Sequence, residues 1–136
     1  MDEKLKRTAM EAYGFTAEEA EGLSEKQQTI IKTGPSRRAY KVIMEVVSSK
    51  NCGLKPKVGD RYVTNGSGVL NPGECTFPIC LWALAPMLPL SYVIFDRLSH
   101  GQDPNGHLLE NVRCTDTGVR CGGIGEATFR IRCEKV

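Results

Sequence analysis

Six cysteines, Cys52, Cys75, Cys80, Cys114, Cys121 and Cys133, are the residues of this sequence best suited to chemistry. In a reducing compartment such a number favours metal ligation or transient redox chemistry over structural disulfides. The bland alternative is that free cysteines pack as small hydrophobes. The spacing contains no pair of Cys-x-x-Cys knuckles, so a tight zinc motif is absent. Cys75-x4-Cys80 and Cys114-x6-Cys121 are looser. Cys114 and Cys121 flank a glycine-rich turn that can bring them within disulfide range.

A second, weaker constellation is Asp96 with His100. They stand at i and i+4 on a helix and share a face, so the carboxylate can orient the imidazole as a general base. A polar helix end is the plainer account, with His100 near the C-terminal dipole. Gly122-Gly123-Ile124-Gly125 lacks both the dinucleotide spacing and a Walker lysine, and reads as a turn or bulge. Arg113, Arg120, Arg130 and Arg132 can line a basic surface for a small anion, or simply decorate an exposed sheet face.

The elements that must position these groups fall into two parts. Residues 1–35 read as an N-terminal helical extension without cysteine, and 36–136 as the cysteine-containing domain. In the extension, Leu5, Ala9, Met10 and Tyr13 approximate a helical stripe ending at Gly14. Thr16 with Glu19 forms a capping box for a second helix, and Ser24 caps a third that stops at Gly34-Pro35. From Arg38 the period changes to that of strands. Tyr40, Val42, Met44 and Val46 share one face, and Arg61–Thr64 form a short strand before an Asn65-Gly66 turn.

The segment from Pro78 reads as a helix containing Cys80, broken or kinked at Pro86 and Pro89, with a second helix ending at Gly101. Strands follow around Val112 and from Glu126 to the end, the last with an edge-strand pattern. The expected class is α+β, a small and mainly antiparallel sheet with an apolar helix pair inserted between strands.

Composition narrows the function further. The chain has 136 residues, enough for one domain, and a net charge of +2 with basic residues scattered, which argues against nucleic acid. The opening MDEKLKRT is charged and lacks an apolar run, which predicts no secretory signal and a cytoplasmic protein. The apolar stretch near Cys80–Phe95 reads as too short and too interrupted to span a bilayer.

From about Tyr40 to the end the chain resembles a family of small, functionally uncharacterised bacterial and archaeal proteins. The shared features are Cys52-Gly53 leading to Lys57-Val58-Gly59-Asp60, Pro72-Gly73-x-Cys75, an apolar helix with Ala83 and Leu84, and Cys114-Thr115-Asp116. The chain departs from the family in having Lys55-Pro56 where a Gly-His pair is usual, and Thr76 where proline follows the cysteine. The resemblance implies no established activity, but it singles out Cys52, Cys75 and Cys114.

These three sit in or beside turns, where loops on a rigid scaffold can converge. They can hold an iron–sulfur cluster with one iron open, or zinc with a fourth ligand. Cys121 is the favoured fourth ligand because Gly122-Gly123 allows close approach, with His100 and His107 as alternatives. Cys75 is expected just ahead of a helix start, where a thiolate is favoured. Cys80, five positions on within that helix, points away and is expected in the core.

The leading expectation is therefore a small metal- or cluster-binding protein that acts on a small polar substrate or transfers electrons. Alternatives are a non-catalytic small subunit or homo-oligomeric assembly module, whose charge-poor helices dock a larger enzyme, and a metal-free domain with packed cysteines.

Overall fold

The computed structural model describes residues 1–136 and contains an α+β fold. Helices α1 (Glu3–Tyr13), α2 (Ala17–Glu21), α3 (Glu25–Lys32) and α4 (Gly34–Arg38) come first. Gly14 ends α1 in the left-handed conformation with φ 75°, which glycine reaches without a Cβ clash. The Thr16–Glu19 capping box is formed, and Ser24 and Gln27 make a second one. Helices α1 to α3 enclose a minor core of Ala9, Ala20 and Ile31, edged by Leu5, Phe15 and Leu23.

Gly34-Pro35 does not end the helical part, as the sequence had suggested. It opens α4, with proline in the first turn where its missing N–H costs nothing. The helical extension thus runs across the expected boundary at residue 35 and directly into the first strand. Arg37, on α4, is only 2% exposed and ties the extension to the rest of the chain.

Strands β1 (Tyr40–Lys50), β2 (Arg61–Asn65), β3 (Asn111–Arg113) and β4 (Glu126–Lys135) form one antiparallel sheet in the order β2-β1-β4-β3. The edge pattern expected for the last strand is corrected here. β4 lies inside the sheet, paired on both sides, because the short β3 covers what would have been its free edge. One face carries Val42, Met44, Val46, Tyr62, Phe129 and Ile131 into the main core, the alternation that period-two strands impose.

That face is covered by α5 (Leu81–Leu84), a 3₁₀ turn (Ala85–Met87) and α6 (Leu88–Ser99), inserted between β2 and β3. Ala83, Met87, Ile94 and Leu98 are the buried positions. Pro86 and Pro89 do not interrupt this helical run, because each falls in the first turn of the element it enters. The helical stretch Leu81–Ser99 is therefore 19 residues with mean hydropathy 1.2, long and apolar enough to cross a membrane by length and composition alone. The expectation that it was too short and broken is corrected accordingly.

A candidate thiol site at one end of the sheet

Sheet register brings two distant cysteines to the same end. Lys50 pairs with Glu126, so Cys52, just past β1, emerges beside Gly125 at the start of β4. Arg113 pairs with Thr128, and the Cys114 N–H donates to the Ala127 carbonyl at 2.9 Å, so Cys114 leaves β3 at that same end. The register slips between Val46 and Ser48, a bulge of the kind that bends a strand near its end.

A third cysteine arrives from the helical insertion, and it is Cys80. The residue is not inside a helix. It has extended backbone (φ −121°, ψ 125°) and immediately precedes α5. Its N–H donates to the Tyr62 hydroxyl at 3.1 Å, and that hydroxyl donates to the Pro78 carbonyl at 2.7 Å. Tyr62 itself is fully buried and stacks on Phe77, with ring centroids 4.3 Å apart. Burial pushes its hydroxyl up to about 12, with Cys80, Cys75 and Cys52 adding to the rise. The phenol therefore stays neutral and keeps its proton for Pro78.

Cys52, Cys80 and Cys114 line one pocket of about 200 Å³ together with Leu54, Trp82, Asp116 and Gly125. Burial pushes the Cys114 thiol up, and negative charge on Cys80, Asp116 or Cys52 pushes it further. Ionising Cys80 or Cys52 therefore disfavours the Cys114 thiolate.

The pocket's outer wall is the loop between β3 and β4. Asp116 holds it closed by accepting three backbone N–H bonds, from Gly118 at 3.1 Å, Ile124 at 2.8 Å and Gly125 at 2.8 Å. These bonds, led by that from Gly125, depress the Asp116 pKa below the usual carboxylate value. Gly125 packs so closely that a Cβ there would lie 3.0 Å from the Cys52 Cα. The Thr115 N–H bonds the Trp82 carbonyl at 2.9 Å, tying the Cys114 loop to α5.

The other candidates lie elsewhere. Cys75 is partly buried, donates its thiol to the Asn71 carbonyl at 3.3 Å and, like Cys80 and Cys114, packs against the main core. It follows a 3₁₀ turn (Pro72–Glu74) rather than preceding a helix, and it is not among the pocket-lining residues. Cys121 is exposed on a 3₁₀ turn (Val119–Cys121) and is likewise outside the pocket lining. Cys133 is buried in the core, and burial raises its thiol to about 11.

Asp96 and His100 do approach, with Nδ1 to Oδ1 at 3.6 Å, but Nδ1 bonds the Asp96 carbonyl at 2.8 Å and both side chains are exposed. They line an open groove with Glu25, Lys26 and Phe95, separate from the thiol pocket. His107 Nδ1 bonds the Pro104 carbonyl. Of the arginines, Arg113 approaches Glu126 at 3.9 Å and Arg132 pairs with Glu134. No group of three or more His, Cys, Asp or Glu side chains is arranged to hold a metal ion as the side chains stand.

The expected helical position of Cys80 is overturned, because it precedes α5, whereas its expected packing against the core is observed, since Cys80 is partly buried against the main cluster. A usable signal was Pro78, which leaves Ile79-Cys80 free to be extended, but the hydroxyl that holds them belongs to β2. No protein-family model, no curated protein and no solved structure matches this chain.

Proposed function

We propose that this is a small thiol-site protein whose pocket, lined by Cys52, Cys80 and Cys114, takes a thiophilic metal centre, either an iron–sulfur cluster or zinc. The observation that carries the reading is the convergence of three cysteines from three separate segments on one pocket. A core that merely used cysteine as filler has no need to gather them at an opening. The raised Cys114 pKa fits a thiol that stays protonated until a cation arrives. Loading then releases protons, which makes uptake weaker as pH falls.

Anaerobic purification with a visible spectrum and elemental analysis tests this. The chain is expected to carry iron with sulfide, or zinc, and Cys52→Ser, Cys80→Ser or Cys114→Ser is each expected to bring metal per chain to background. Cys75→Ser is expected to leave the metal content unchanged. Retained metal in Cys80→Ser with loss in Cys75→Ser would instead restore the trio expected from the motifs. Metal-free protein from iron- and zinc-supplemented anaerobic cultures would defeat the reading.

A second reading, a subunit or assembly module, is favoured by the outward face of the helical insertion. Leu81, Trp82, Leu88 and Tyr92 are 77%, 67%, 55% and 68% exposed, and no charged residue occurs between Cys75 and Phe95. Apolar groups left in water on this scale mark interaction surfaces. Native mass spectrometry is expected to show a homo-oligomer that Leu81→Glu with Tyr92→Glu converts to monomer. A wild-type monomer at micromolar concentration would remove the homo-oligomer form of this reading.

A further inference from the structure

Tyr62 sits on β2, in the body of the sheet, yet its hydroxyl is the only side-chain group bonded to the Cys80 backbone N–H. The same oxygen donates to the Pro78 carbonyl. The two bonds bracket Ile79, and Cys80 is extended immediately ahead of α5. Without them Pro78 is well suited to open a helix, and continued helix would carry Cys80 to a different bearing.

The ring meanwhile does ordinary core work, fully buried and stacked on Phe77 with Phe129 next, at 6.0 Å. Core packing alone would be met by phenylalanine. A buried hydroxyl is retained at a cost unless it is fully bonded, and here both its donor and its acceptor capacity are directed at the segment that presents Cys80.

We infer that Tyr62 is the positioning residue of the thiol site, its hydroxyl setting the direction from which Cys80 enters the pocket shared with Cys52 and Cys114. The inference rests on Cys80 being a site thiol, as in the reading above, but not on which metal, if any, the site takes.

The test compares alkylation rates of the six cysteines, read by peptide mass spectrometry after short exposure of metal-free protein to iodoacetamide. In Tyr62→Phe, labelling of Cys80 is expected to change about fivefold relative to Cys52 and Cys114, the shift that one hydrogen bond represents. Phe77→Leu removes the stacking partner and spares the hydroxyl. It is expected to lower the melting temperature without changing the Cys80 to Cys52 ratio. An unchanged ratio in folded Tyr62→Phe overturns the inference.

Should Tyr62→Phe fail to fold, hydrogen exchange of the unaltered protein decides. The Cys80 amide is expected to exchange at least tenfold more slowly than that of exposed Ile79, as a hydrogen-bonded amide does, and equal rates overturn the inference. Failure of metal binding with a changed labelling ratio leaves Tyr62 as the positioning residue of a metal-free thiol pocket. Metal binding with an unchanged ratio removes the role of Tyr62 alone.

Discussion

Arg37→Ala is expected to destabilise the protein by about 3 kcal/mol, lowering the melting temperature by about 10 °C for a chain of this size. The guanidinium is buried with no carboxylate beside it. Its Nε bonds the Ser67 hydroxyl at 3.1 Å, Nη1 bonds the Thr33 and Ser99 hydroxyls at 2.6 and 2.9 Å, and Nη2 bonds the Ile30 carbonyl at 2.6 Å. It also lies 4.1 Å over the Phe95 ring. These partners belong to the end of α3, to α6 and to the turn after β2, so one side chain joins three segments.

Two effects oppose each other. Burying an unpaired cation is costly, and burial indeed lowers the Arg37 pKa. Alanine relieves that cost but leaves four polar partners without their donor and a cavity where the stem lay. The second effect is expected to win because the cation is already solvated by protein oxygens. Arg37→Met keeps the stem and is expected to lose about half as much. Hydrogen exchange adds a spatial readout. In Arg37→Ala, α1 to α3 are expected to lose protection before the sheet does, since their own core is only three buried residues. Thermal unfolding within about 2 °C of the parent would show that the tie contributes little.

Asp116→Asn is the substitution expected to disturb the thiol pocket most without touching a cysteine. The carboxylate uses both oxygens as acceptors for three N–H groups. An amide supplies only one acceptor and turns an NH₂ toward at least one of those donors. The loop from Thr117 to Ile124 is then released, and with it the close approach of Gly125 to Cys52. Trypsin cleavage after Arg120, in the middle of that loop, is expected to accelerate roughly tenfold or more. Alkylation of Cys52 and Cys114 is expected to rise with it, while the buried Cys133 stays protected. Cleavage at the parent rate would mean that the loop is held by something other than Asp116.

Much of the scaffold was legible in the sequence because it is specified locally. The capping box at Thr16 and the cap at Ser24 need only neighbours three residues away, and both form, Ser24 with Gln27 making a full box. The alternation Val42, Met44, Val46 assigned a buried face to β1 because a strand repeats every two residues, and all three are in the core. The α+β class followed from the change of period after Arg38.

What the tertiary structure alone decided is long-range. The place of β4 inside the sheet depends on three residues of β3, too few to announce a partner. Pro86 and Pro89 look like breaks to a local reading, yet each occupies a first-turn position and the helical run continues. The turn chemistry of the chain placed Cys52, Cys75 and Cys114 in or beside turns of an α+β domain. Which cysteines meet was set by sheet register, which carries Cys52 and Cys114 to one end, and by a tyrosine hydroxyl eighteen residues from Cys80. Neither cause leaves a periodic trace, because a single hydrogen bond between distant segments has no pattern in the order of residues.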